Sequence, residues 1–408
     1  MSAIAMSMPN SQETLTLEWL QAALQDTTIS SFEVTSSRLF ETTSKLYVTL
    51  AYSGDAHEGK PTHILLKGGF NPAMFAVPGY KPILLRVYTR EVDLFTKFAS
   101  TLPTEGDAAV VLQVPKVYWA GADADNAILA MEDLAHAGFA FGDPTTTYGL
   151  AAVHSGLEQL ASLHAKTWGW TTVEGDANVK ASESVPSAAS LAWLEPNIYD
   201  VTMRGLLGMW DEVILGADRP ALPAILKDSR ERTSLALENY FVTRNPRFRC
   251  LVHGDPHSGN TYLKGDNVRF LDWQIAHIGT AFHDVAYFVV SMLTVEERRT
   301  HELAMLDYYL AALARHGGPV LSRENDPDVM TEYRKALMTG LGWVLTPHSM
   351  QAKARVEAMV ERYAAAIVDH KTIELLTEGN TKETTAVKND KASASVQVGE
   401  VAKEQTTA

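Results

Sequence analysis

The chain has 408 residues, 46% hydrophobic and 21% charged, long enough for two lobes and ordinary for a globular protein. Its net charge of -14 argues against a nucleic-acid partner, whose phosphates require a basic face. A single cysteine, Cys250, excludes an internal disulfide and suits a reducing cytoplasm; its expected role is that of a small buried hydrophobe.

Residues 1–12 carry neither a basic start nor a long apolar stretch, so no secretory signal is expected. No run approaches the roughly 18 apolar residues of a membrane span. The expectation is a cytoplasmic protein with no membrane partner. Residues 14–24 place Leu17, Leu20 and Leu24 on one helical face. From 31 to 52 the pattern turns to strands, with 47–52 apolar and β-branched and a turn over 54–59. Residues 64–67, Ile-Leu-Leu-Lys, read as a short buried strand. A loop rich in Gly and Pro over 68–82 leads to a helix over 88–98, and 110–118 and 127–131 read as two more strands.

Helical periodicity then dominates. Leu150, Val153, Leu157, Leu160, His164 and Trp168 share one stripe, the mark of a long core helix. Residues 171–190 are polar and aperiodic, a surface excursion. Residues 251–252 and 268–271 read as short strands of a hairpin enclosing a polar loop, and the chain is helical again to about 376. Residues 377–408 hold no aromatic, Leu, Ile or Met, cannot bury a core and are expected to be disordered. There is no internal repeat.

The chemistry concentrates in Leu251-Val-His-Gly-Asp-Pro-His-Ser-Gly-Asn260 and Val268-Arg-Phe-Leu-Asp272-Trp-Gln274. Phosphoryl transfer needs this inventory: a carboxylate to orient a hydroxyl and accept its proton, and an amide with a second carboxylate to hold Mg on phosphates. A hairpin of mere turn residues accounts for Gly259 and Asn260, but less well for His253, Asp255 and His257 between two apolar strands.

These residues resemble the catalytic loop and metal-binding strand of the aminoglycoside phosphotransferase and choline kinase superfamily. His-Gly-Asp-x-x-x-x-Asn and Asp-Trp there stand for the protein-kinase catalytic loop and its metal-binding motif. Leu17-Glu-Trp-Leu20, Met131-Glu-Asp-Leu134, Leu163-His-Ala165 with Trp168, and Phe282-His-Asp284-Val-Ala286 are similar to the ecdysteroid-kinase-like branch, over about residues 14–370. The resemblance implies an α+β, two-lobed protein-kinase-like fold with a small strand-rich N-lobe and a larger helical C-lobe. The expected divisions are a segment with a short helix over 1–30, an N-lobe over 31–134, a C-lobe over 135–376 and a tail over 377–408. The implied function is ATP- and Mg-dependent transfer of the γ-phosphate to a hydroxyl of a small molecule. In it Asp255 is the catalytic base and Asn260 and Asp272 are the Mg ligands.

Lys67 ends an apolar strand, where a lone ammonium is costly to bury, and Glu91 shares a stripe with Leu94, Phe95 and Phe98. An internal ion pair follows, and by resemblance Lys67 binds ATP phosphates while Glu91 holds it in place. The alternative is a solvated Glu91 paired with Arg86 or Arg90. The backbone of Glu132, Asp133 and Leu134 is the expected adenine hinge. Residues 38–46, where a phosphate loop should lie, contain no glycine; Ser44, with Thr42, Thr43 and the charge of Lys45, is the expected substitute. His253 and Asp284 are expected to brace the catalytic loop, Asp284 alternatively as a helix N-cap. His164 reads as a core histidine, and His257 and His283 lack zinc-site spacing, so no zinc is expected. A kinase-like nucleotide binder with impaired catalysis and a metal-dependent hydrolase are the competing readings. The latter leaves Lys67 unexplained. The acceptor itself is not legible, because its pocket is built from the variable helical half.

Overall fold

The computed structural model describes residues 7–39, 43–54, 58–101, 112–176, 185–216 and 222–378. Alternation along the early strands sets the first layer. In β2 (Ser44–Tyr52), Ser44, Leu46, Val48 and Leu50 are buried on one face, while Lys45, Tyr47 and Thr49 take the other. With β1 (Ile29–Leu39), β3 (His63–Gly68), β4 (Val117–Ala122) and β5 (Ala127–Glu132) it forms an antiparallel sheet of order β1-β2-β3-β5-β4. Helix α1 (Leu17–Leu24) covers the first face, so that Trp19, Leu20 and Ala23 meet Leu46, Val48, Leu50, Ile64, Leu66, Ile128 and Ala130. The helix begins at Leu17 because Thr16 caps it, its hydroxyl accepting from the Trp19 N–H at 3.2 Å. The opposite face of the sheet presents Lys45, Tyr47, Leu65, Lys67 and Met131 to a cleft.

The stretch expected as a loop over 68–82 instead holds α2 (Pro72–Phe75) and the start of α3 (Tyr80–Asp93). Pro82 lies in the first turn of α3, where a backbone N–H has no helical partner to lose. Beyond α3 the chain continues as a wider π-helical turn, Leu94–Phe98, which keeps Leu94, Phe95 and Phe98 buried. The strand expected over 110–118 begins only at Val117, after Pro115, and runs on to Ala122; residues 102–111 lie outside the described part.

The C-terminal part is built around one large core. Helix α4 (Leu150–Lys166) buries Val153, Leu157, Leu160 and His164 as its stripe demands. It is followed along the chain by α5 (Ile198–Gly208), α6 (Trp210–Ile214), α7 (Ala224–Lys227) and α8 (Arg230–Val242). Helix α9 (Ala281–Met292) is buried along its whole length, an axis against which α4, α10 (Val295–Arg315), α11 (Pro327–Ala336) and α13 (Lys353–Asp369) pack. Short α12 (Leu341–Leu345) precedes α13, and α14 (Thr372–Glu378) ends the described chain. Thr377 and Glu378, expected in the tail, belong to α14 and meet Arg232; residues 379–408 lie outside the described part. The polar excursion over 171–190 lies partly outside it as well, at 177–184.

The expected single hairpin is two separate ribbons. Strand β7 (Arg249–Val252) pairs with β10 (His277–Thr280), whereas β8 (Thr261–Lys264) pairs with β9 (Asn267–Phe270) and with β6 (Ala140–Phe141). The polar loop over 253–260 therefore crosses from one ribbon to the other, and 271–276 crosses back, which sets the two motifs side by side. The architecture is the expected α+β one, a strand-rich sheet followed by a helical C-terminal part.

Candidate active site

The loop over 253–260 is held from beneath by α9. Asp284 accepts from the backbone N–H groups of His253 at 2.7 Å through Oδ2 and Gly254 at 3.0 Å through Oδ1, and His164 Nε2 approaches the same Oδ2 at 3.1 Å. His283, the preceding residue, reaches the Gly254 carbonyl through Nε2 at 2.9 Å. Gly254 adopts φ +89°, and a Cβ there would stand 2.6 Å from the Ile275 carbonyl oxygen, so the clamp admits only glycine. The cap of α9 is Thr280, not Asp284, so Asp284 is a brace of the loop. Charge-assisted bonds explain why the Asp284 carboxyl is lowered to about 2 although burial pushes it up.

Replacing Asp284 by asparagine is expected to cost about 2 kcal/mol at pH 7. The folded value lies below the ordinary 3.8, so this stabilisation is present above that pH and lost as pH falls toward about 2. Urea titrations of both proteins should show the gap narrowing below about pH 4; a gap that stays constant down to pH 2 would remove the charge from the account.

His253 links the two motifs. Its Nδ1 accepts from the Asp255 N–H at 3.2 Å, which leaves Nε2 as the donor to the Leu271 carbonyl at 3.1 Å. Burial lowers its pKa, in keeping with this neutral tautomer. The next residues are fixed from two further sides, Leu271 N–H by the Asn260 carbonyl at 2.9 Å and Trp273 N–H by Glu91 Oε1 at 3.1 Å. Between them Asp272 sits at φ +68°, a left-handed conformation that a non-glycine residue keeps only under such constraint.

Glu91 also receives Lys67, whose Nζ lies 2.7 Å from Oε2 and 3.0 Å from Asp272 Oδ1. The expected buried pair is present and extends to a carboxylate 205 residues away in sequence. Burial pushes the Glu91 carboxyl up. Burial opposes the charge of Lys67 too, but Asp272 and Glu91 together raise its pKa, while Lys67 and Lys45 hold the Asp272 carboxyl below its usual range against burial. The solvated alternative for Glu91 is corrected by the same geometry. Arg90 is itself buried, donating to the carbonyls of Ala276 at 2.5 Å and Pro196 at 3.0 Å, and so ties α3 to the helical part.

Asp255 is half-buried. Asn260 Nδ2 donates to its carbonyl and to Oδ2, both at 3.0 Å, leaving the amide oxygen of Asn260 as an acceptor. His257 Nδ1 accepts from the Gly259 N–H at 3.0 Å, so its Nε2–H faces Asp255 Oδ2 at 3.5 Å. Against burial, His257 and a hydrogen bond from Tyr287 hold the Asp255 carboxyl below its ordinary value. His257 and Tyr287 were not legible as partners of Asp255, because one lies in an aperiodic loop and the other within the apolar stretch of α9 that follows Asp284.

The cleft has a volume of about 500 Å³, open solvent included. On the sheet face that lines it, Lys45 and Lys67 stand opposite each other on one rung and Tyr47, Leu65 and Met131 on another, with Glu91, Phe95, Pro115, Phe141, Leu271, Asp272 and Trp273 completing the wall. Asp133 and Leu134 line it as well, whereas Glu132 continues the ladder of β5 toward Lys116. The Asp133 carboxylate is taken up by the N–H groups of Ala135 and His136, so it shapes the turn. Ser44 does not line the cleft. It is in phase with Leu46, Val48 and Leu50 on the α1 side of the sheet, and its neighbour Lys45 takes the place expected for it. Thr42, named with it, lies outside the described residues, and Thr43 is buried against Gln274 Nε2 at 3.4 Å.

No helix among the described residues is long and apolar enough to cross a membrane. No curated protein matches the chain. Among solved structures, the macrolide 2'-phosphotransferase MphH from Brachybacterium faecium is similar at 18% identity, over 85% of this chain and 98% of its own, with a TM-score of 0.43. A Plasmodium vivax ethanolamine kinase is similar at 13% identity over 84% of each chain, with a TM-score of 0.45. Choline kinase LicA from Streptococcus pneumoniae is similar at 12% identity over 87% and 97%, with a TM-score of 0.41. Such likenesses assign neither activity nor substrate. The model of the ecdysteroid kinase-like family, by contrast, matches residues 83–318, which take in most of α3, the 253–260 loop, Asp272 and Asp284, and the chain belongs to that family.

Proposed function

We propose that the protein transfers the γ-phosphate of ATP to a hydroxyl of a small molecule, with Asp255 as the base that orients the hydroxyl and accepts its proton. The observation that carries this reading is the Lys67 ammonium held between Glu91 and Asp272 in a cleft whose sheet face runs from the Lys45–Lys67 rung to the apolar rung of Tyr47, Leu65 and Met131. A nucleotide has the same polarity, an apolar base at one end and anionic phosphates at the other. The carboxyl of Asp255, held below its ordinary value, is ionised at neutral pH as a proton acceptor must be. The absence of glycine from 38–46 favours an impaired binder slightly, and the presence together of the lysine, both acids and the amide favours catalysis much more. The single, buried Cys250 supports a cytoplasmic setting.

Mg fits the donor set: the free amide oxygen of Asn260 and the Asp272 carboxylate are hard oxygen ligands in adjoining segments tied by the Leu271 N–H bond to the Asn260 carbonyl. When bound, the ion would neutralise phosphate charge. The chain's own contribution is to hold Asp272 in place through His253, Asn260 and Glu91. Asp272→Asn should weaken ATP binding strongly in the presence of Mg and little in its absence, because a hard cation loses a charged ligand. Calorimetric titrations of ATP at several Mg concentrations test this. An unchanged Mg dependence would leave Asp272 as a turn residue braced by Lys67.

A further inference from the structure

Lys45 and Lys67 stand directly opposite each other in the antiparallel pairing of β2 and β3, so both side chains project from the same face of the sheet into the cleft. Their situations differ. Lys67 is neutralised by two carboxylates, at 2.7 and 3.0 Å. The half-buried Lys45 ammonium has no ion-pair or hydrogen-bond partner among the described residues. Two cations beside each other in a partly desolvated cleft repel, and a group so placed is costly unless an anion joins it. Burial and the charge of Lys67 accordingly lower the Lys45 pKa, with Asp272 and Glu91 opposing.

The position also fits the chemistry. Along β2 the next residue on the same face is Tyr47, opposite Leu65, which in turn is opposite Met131 on β5. The sheet face thus runs from a cationic rung, Lys45–Lys67, to an apolar rung, Tyr47–Leu65–Met131. A ligand laid along it with its base on the apolar rung would bring its phosphates under Lys45. The glycines that usually allow backbone N–H groups to approach phosphates are missing from 38–46.

We propose that Lys45 is a nucleotide-phosphate-binding residue that supplies, as a side-chain charge, the contact a glycine-rich loop would make with its backbone. The inference rests on the nucleotide reading above. The ligand it selects is a polyphosphate ester, with the triphosphate preferred over the nucleoside. A lysine acts here as a point charge and not through a fixed fork, so arginine should substitute in part.

The test compares the full-length wild type with Lys45→Met and Lys45→Arg. Binding of ATP and of adenosine is measured by calorimetry, and thermal stability by melting. Lys45→Met should weaken ATP binding roughly tenfold or more, as expected for loss of a charge-assisted contact, and leave adenosine binding unchanged. Lys45→Arg should recover much of the loss. Lys45→Met should also melt no lower than wild type, since it removes a charge that is repelled by Lys67 and has no ion-pair or hydrogen-bond partner among the described residues. Equal ATP affinity in wild type and Lys45→Met would overturn the inference alone. A lower melting temperature with equal losses for ATP and adenosine would overturn it in favour of a structural lysine. A wild type that binds no ATP would overturn the nucleotide reading and this inference with it.

Discussion

Asp255→Ala is expected to lower turnover by ~10²–10⁴-fold while the protein folds and binds ATP nearly as before. A base that meets the acceptor hydroxyl acts chiefly in the transition state, so its loss should appear in kcat far more than in nucleotide affinity. The surroundings allow the substitution. Asp255 is half-buried, and its loop is held by Asp284, His283 and His253 through backbone groups that the change leaves in place. The phosphate-side group of Lys67, Glu91 and Asp272 is bonded separately. Asn260, His257 and Tyr287 each lose a side-chain partner, and Asn260 keeps the Asp255 carbonyl. Activity near that of wild type would remove Asp255 from the mechanism, whereas loss of ATP binding would make it part of the nucleotide site.

The second large effect concerns Lys67. Lys67→Ala strands Glu91, only 3% exposed, beside Asp272, and breaking a buried pair by removing one member typically costs about 3–5 kcal/mol. Burial already pushes the Glu91 carboxyl up, and without Lys67 it should rise further. The penalty should therefore shrink as pH falls and Glu91 takes up a proton, because the folded variant then binds protons more readily than the unfolded chain. Glu91→Ala should be milder, since Lys67 retains Asp272, although Trp273 N–H loses its acceptor. The double variant should lose less than the sum of the two single losses. The cycle is to be measured both on stability and on rate at subsaturating ATP. Simple additivity would contradict the coupling of α3 to the nucleotide site.

The parts of this arrangement that were legible share a property: their chemistry conflicts with their local pattern. Asp255, Asn260 and Asp272 crowd polar groups between apolar strands, and Lys67 and Glu91 carry charge on surfaces that otherwise face a core. Ser44 was misplaced although the period-two rule already put it in phase with Leu46, Val48 and Leu50, and Lys45 in phase with Tyr47. The start of α3 was hidden by Pro82, which breaks a helix in its interior but not in its first turn. The two ribbons looked like one hairpin because strand pairing between β7 and β10 is set by the packing of α9, not by a local turn. His257, Tyr287 and Arg90 act through contacts with residues distant in sequence or through carbonyls, and no spacing announces such partners.

The central claim is that phosphate leaves ATP at this cleft for an acceptor hydroxyl. The most direct measurement incubates the full chain with γ-labelled ATP, Mg and a panel of hydroxylated small molecules, and follows label in each acceptor beside an Asp255→Ala control. The account predicts label on at least one acceptor, accompanied by equimolar ADP and absent with the variant. ATP that is neither bound nor consumed, or label transfer that persists without Asp255, would contradict it.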